Sequence, residues 1–117
     1  MKRTDPRFPP IVCLCGSTRF KQTFIEKNFQ LTMAGWIVLS VGWFCHADGD
    51  VYEPTAEEKA ALDELHKRKI DLADSVYVLN VGGYIGESTR GEIEYAAAQG
   101  KTIRYLQDDT PIPPATE

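Results

Sequence analysis

The 117-residue chain contains no run approaching the roughly 20 consecutive apolar residues that span a bilayer. Its first ten residues, Met1 to Pro10, are basic but lack the apolar core of a secretion signal. These two absences lead to the expectation of a cytoplasmic protein with no membrane partner. Cysteine is scarce: three residues, an odd number, do not make a disulfide framework. Cys13 and Cys15 alternate along an apolar stretch and read as reduced core residues. An excess of positive charge is missing too, since 13 basic residues face 17 acidic ones. That balance excludes a broad basic surface for duplex nucleic acid and leaves room only for a local basic pocket. Internal repeats and low-complexity segments are absent, and so are the spacing and the lysine of a Walker A loop.

What is present is the composition of one globular domain, 43% hydrophobic and 26% charged. The domain is expected at 11–106, after a flexible N-terminal segment (1–10) and before a loose tail (107–117) that carries three prolines. Ile11 to Cys15 is a short strand-forming run stopped by Gly16, and from Phe20 the spacing becomes helical, with Phe24 and Leu31 on the same face as Phe20. Gly35 sits where a helix would end, and a second strand is expected over 36–41. Gly42 to Pro54 has no period and reads as a long functional loop or lid. Thr55 and Glu58 have the spacing of a capping box, which predicts a helix over Ala56–Leu72 with Leu62, Leu65 and Ile70 facing the core. A third strand is expected over 75–81, then the glycine-rich turn Gly82 to Gly86. A helix follows from Ser88 or Thr89, with Thr89 and Glu92 as a second capping box and Gly100 as its end. A fourth strand is expected over 102–106.

Alternating strands and helices predict an α/β fold: a compact, doubly wound, Rossmann-like parallel sheet of strand order 2-1-3-4 with helices on both faces. In that order the chain reverses direction between strands 1 and 3, and ligands bind where the carboxyl ends of those strands meet. The turns at that place are Gly16-Ser17-Thr18-Arg19 and Gly82 to Ser88. The first offers two hydroxyls, free N–H groups and a guanidinium to an anion at a helix start, or else Ser17 or Thr18 merely caps the helix. Glu92 is placed in the first turn of the third helix, where the dipole favours its charge. There it is either a carboxylate able to attack an anomeric carbon or simply the partner of Thr89.

His66 shares a helix face with Ile70 and reads either as an acid or as a satisfied buried histidine. Trp43, Phe44, Tyr52 and Tyr84 have rings that can stack on a planar base, or line the underside of a lid. Cys45-His46-Ala47-Asp48 lacks a second cluster at ligand spacing, so no metal is expected there.

The two turns carry a resemblance. Gly16-Ser17-Thr18-Arg19 is similar to the glycine-serine-any-arginine turn of nucleotide N-glycosidases. Ser88-Thr89-Arg90-Gly91-Glu92-Ile93-Glu94-Tyr95-Ala96 resembles the signature of the nucleoside 2-deoxyribosyltransferase-like family, and the likeness runs from Ile11 to Leu106. Ser88 and Glu94 stand where that signature has glycines, Gly86 where it has an acidic residue, and His66 where an aspartate is usual. The resemblance puts Asp74 at the family's strand-entry aspartate, Glu92 at its nucleophile, and Ser17 and Arg19 at the phosphate-contacting turn.

It implies cleavage or transfer of an N-glycosidic bond in a nucleoside or nucleoside 5′-monophosphate, with His66 protonating or orienting the base. Gly16, Ser17, Thr18, Arg19, Trp43, Phe44, Gly82, Gly83, Tyr84, Gly86 and Ser88 then form the substrate site. No metal or organic cofactor is implied, and assembly into a homo-oligomer is expected. The alternative from another class is a nucleotide-binding sensor that uses the same crevice without catalysis.

Overall fold

A computed structural model describes residues 8–44 and 53–108. The four strands are β1 (Ile11–Cys15), β2 (Ile37–Leu39), β3 (Ser75–Val78) and β4 (Thr102–Tyr105). Among the described residues the helices are α1 (Lys21–Met33), α2 (Ala56–Leu72) and α3 (Glu87–Ala98), and two single 3₁₀ turns follow β3 and β4. All strand pairs are parallel and the order is β2-β1-β3-β4, as the sequence pattern predicts. Among the described residues no helix is long and apolar enough to cross a membrane.

Successive side chains of a strand point to opposite faces of the sheet, so β1 supplies both cores. Val12 and Leu14 pack with Phe24 and Leu31 of α1, and with Tyr77 and Leu79. Cys13 and Cys15 turn to the other face, where they pack with Ile70 of α2, Ala96 of α3, Val76 and Val78. Among the described residues α1 therefore covers one face, and α2 and α3 cover the other. Leu62 and Leu65 do not join this core. They remain about half exposed, at 47% and 56%, because only the His66–Ile70 stripe of α2 faces the sheet.

The helix boundaries have local causes. Thr55 Oγ1 accepts from Glu58 N at 3.1 Å while Thr55 N donates to Glu58 Oε1 at 2.9 Å, the reciprocal box expected at the start of α2. At its far end Lys101 Nζ donates to Ala73 O at 2.7 Å and Asp71 O at 3.2 Å, carbonyls at the end of α2 and just beyond it. Gly35 and Gly100 follow the C-caps Ala34 and Gln99, as expected of residues that stop helices. The third helix departs from expectation. It starts at Glu87 with Gly86 as an extended N-cap and no side-chain cap, so Thr89 lies inside the helix, 4% exposed, and the Thr89–Glu92 box does not form. The strands expected over 36–41, 75–81 and 102–106 are each trimmed at their ends, since pairing stops where the turns begin.

Asp74 locks the entry edge of the sheet. Its Oδ2 accepts from Ile11 N at 2.7 Å, and its own N donates to Ile11 O, also at 2.7 Å. This holds β1 and β3 together at the edge opposite the crevice. Asp74 is thus a register residue at the start of the strand.

Candidate functional site

At the exit edge β1 and β3 come into close contact. A Cβ on Gly16 would lie 3.2 Å from Leu79 O and 3.4 Å from Phe24 Cζ, so the chain passes at a distance that only glycine fits without displacement. The chain then turns through Ser17 and Thr18, with Phe20 N donating to Ser17 O at 3.1 Å. Helix α1 begins only at Lys21, and its N-cap Phe20 offers no side-chain cap. Ser17 is not the N-cap residue. Instead Ser17 Oγ accepts from Arg19 N at 3.3 Å and from Arg19 Nε at 3.1 Å, which fixes the guanidinium above its own turn.

The other loop reaches Arg19 from β3. Gly82 and Gly83 take φ of 62° and 83°, a left-handed pair that residues with a Cβ adopt at a cost. Gly83 N donates to Asn80 O at 2.8 Å, and the buried Asn80 side chain accepts from Gln107 N at 3.1 Å, tying the exits of β3 and β4 together. The reversal delivers Tyr84 to the crevice. Arg19 Cζ lies 4.6 Å from the Tyr84 ring centroid, and Phe20 meets the same ring edge-on at 6.0 Å. Tyr84 also lies over Gly86, where an added Cβ would sit 3.2 Å from its hydroxyl. The two turns singled out in the sequence are thus in direct contact through Arg19, Phe20 and Tyr84.

At Cys13 and Cys15, in the strand that leads into the first turn, lies a buried polar cluster. His66, 6% exposed, and Glu92, with a side chain 13% exposed, approach each other to 3.9 Å between Nε2 and Oε1. Cys13 Sγ and Cys15 Sγ each lie 3.5 Å from the same Nε2. Both thiols are free of disulfides. A serine-protease-like relay is not built here, because that arrangement uses the two ring nitrogens for different partners and here one nitrogen faces everything.

The ionisation of this cluster follows from burial and mutual contact. Burial pushes the Glu92 carboxyl above its ordinary value, and the charge of His66 only partly opposes this. The expected dominance of the helix dipole therefore does not hold, since Glu92 lies in the second turn of α3, against the sheet. Burial pushes His66 down, but hydrogen bonding to Cys13 and the negative charges of Cys13 and Glu92 outweigh it and raise the imidazole above its usual value. A hydrogen bond with Cys15 and the neighbouring His66 lower the Cys13 thiol to about 6 against the cost of burial. Cys15 moves the opposite way, well up, through the same shared proton and its deeper burial.

The remaining expected residues are scattered. Phe44 is partly taken into the core, edge-on to Phe24 at 5.4 Å, and Trp43 beside it is half-buried. Ser88 is exposed at the start of α3 and accepts from Lys59 Nζ of α2 at 3.3 Å. The segment holding Cys45, His46, Asp48 and Tyr52, with most of the expected lid, lies outside the described residues. Near the end of α2, Asp71 accepts from Tyr95 Oη at 2.6 Å and pairs with Arg68 Nε at 3.0 Å.

Sequence reasoning missed the role of Cys13 and Cys15 as polar neighbours of His66. Their two-residue spacing put them on one face of β1, but only the packing of α2 showed that His66 lies over that face. Comparison with known protein families and with curated proteins finds no match to this chain.

Proposed function

We propose that this protein cleaves or transfers the N-glycosidic bond of a nucleoside or a nucleoside 5′-monophosphate. The observation that carries the reading is the approach of Glu92 to His66 beside Cys15, the residue that precedes the turn holding a guanidinium on an aromatic ring. A carboxylate beside a protonatable imidazole is the pair such a reaction needs. Glu92 attacks C1′ as the base departs, and His66 gives the base a proton. Water then releases the sugar, or a second base takes it. The raised pKa of His66 favours the proton-bearing form that this role requires.

Arg19, exposed and oriented by Ser17 and Tyr84, supplies a fixed charge for a 5′-phosphate, and backbone N–H groups at the start of α1 add to it. The left-handed Gly82-Gly83 turn keeps Tyr84 at the mouth as a stacking surface. Incubation with a panel of nucleosides and their 5′-monophosphates, followed by chromatography for free base, tests the reading. Release of base that disappears in Glu92→Gln supports it. Binding of a nucleotide with no base release from any of the panel would leave a sensor in its place.

A further inference from the structure

Cys13, Cys15 and His66 do more than pack. Strand periodicity directs both thiols to the α2 side of the sheet, and both sulfurs lie 3.5 Å from one atom, His66 Nε2. The three ligand atoms all fall within 4.8 Å of one another. A single ring nitrogen carries one lone pair or one N–H, so it cannot form a good hydrogen bond to both thiols at once. A tetrahedral ion is satisfied by the same geometry. With metal–sulfur bonds of about 2.3 Å and a metal–nitrogen bond of about 2.0 Å, sulfur and nitrogen ligands stand about 3.5 Å apart.

We infer that Cys13, Cys15 and His66 form a binding site for a thiophilic divalent cation, Zn²⁺, with the Glu92 carboxylate as the fourth ligand. Glu92 Oε1 lies 3.9 Å from the same nitrogen, within a small side-chain adjustment of that position. Zn²⁺ displaces the protons held by the two thiols and by His66 Nε2, and these go to solvent, so two thiolates, one carboxylate and a neutral imidazole around Zn²⁺ leave one net negative charge. Lys69, whose charge acts on both Cys13 and His66, lies on the same side of the sheet to offset it. Redox chemistry is not needed, because Zn²⁺ keeps its charge throughout. Where Glu92 acts on a sugar, the ion blocks that action by holding both Glu92 and His66, so ion-free and ion-bound protein are two states of one site.

The test uses the full chain, reduced and stripped of metal, titrated with Co²⁺ as a spectroscopic probe and with Zn²⁺ in competition. One equivalent of Co²⁺ is expected to give the strong visible bands of a tetrahedral ion, with thiolate-to-cobalt charge transfer of the intensity of two thiolates, and Zn²⁺ should bleach both. Cys13→Ser and Cys15→Ser should each halve the charge-transfer intensity and weaken Zn²⁺ by at least about 100-fold, more than loss of a supporting partner. Cys45→Ser should change neither. Because a buried serine can disturb folding, the wild-type spectrum decides alone if those variants do not fold. Weak octahedral bands, charge transfer lost in Cys45→Ser, or Zn²⁺ affinity unaltered in folded Cys13→Ser would overturn the site. These readouts do not involve base release, so their failure and the failure of the glycosidic reading are separate results.

Discussion

His66 Nε2 and Glu92 Oε1, from two different helices, meet 3.9 Å apart, with the same His66 nitrogen 3.5 Å from Cys13 and Cys15 of β1. Helix α2 contributes the imidazole from its single sheet-facing stripe, and α3 contributes the carboxylate from its second turn. On the glycosidic reading, Glu92→Gln keeps the shape of the side chain and removes the charge needed at C1′. Base release should fall below detection while circular dichroism and nucleotide affinity stay near wild type. His66→Ala should slow release less, by about 10²- to 10⁴-fold, the usual contribution of a proton donor. Wild-type rates in Glu92→Gln would end the nucleophile assignment.

Arg19 is held by Ser17 and by the Tyr84 ring, so its charge points at one place. Arg19→Ala should weaken a 5′-monophosphate by about 10- to 100-fold, the loss of one charge-assisted hydrogen bond. The matching nucleoside should lose much less. Isothermal titration of both ligands against both proteins measures the difference, and equal losses would count against phosphate recognition.

Asp74 fastens Ile11 in both directions at the entry edge. Asp74→Ala removes one charge-assisted bond at an exposed site, a loss of about 1 to 2 kcal/mol. Thermal unfolding should shift down by roughly 5 to 10 °C in a domain of this size. Ligand binding at the far edge of the sheet should be retained once the temperature is lowered.

Gly83 has a φ of 83° and open space around it, so Gly83→Ala meets no clash and is opposed only by backbone strain. It should destabilise by about 1 kcal/mol. Gly16→Ala instead crowds Leu79 O and Phe24, and the cost of overpacking is typically about 1 to 3 kcal/mol. Denaturant melts of the two variants should rank in that order.

Ser75 Oγ is buried and has no hydrogen-bond partner among the described residues. Replacing it with alanine removes a desolvated hydroxyl at little cost in packing. Ser75→Ala should therefore leave stability unchanged or raise it by up to about 1 kcal/mol, in contrast to the usual sign of a core substitution. A loss in a urea melt would show that the hydroxyl is satisfied after all.

The sequence by itself determined the elements and their order. Alternating strand and helix periods, a capping box at Thr55 and Glu58, and glycines at 35 and 100 act through neighbours a few residues away, and such local signals read the same in any fold. The parallel 2-1-3-4 sheet followed, because crossovers of this kind have one favoured hand. The tertiary structure decided which face each helix covers, and with it everything in the buried cluster. Cys13 and Cys15 are 53 and 51 residues from His66 in the chain, and no local period links them. The start of α3 shows the same limit on a smaller scale. Thr89 and Glu92 have the spacing of a cap, but the helix starts at Glu87, Thr89 is buried inside it, and Glu92 meets His66 instead. Spacing along the chain sets what a side chain can reach locally, and packing between distant segments chooses the partner it meets.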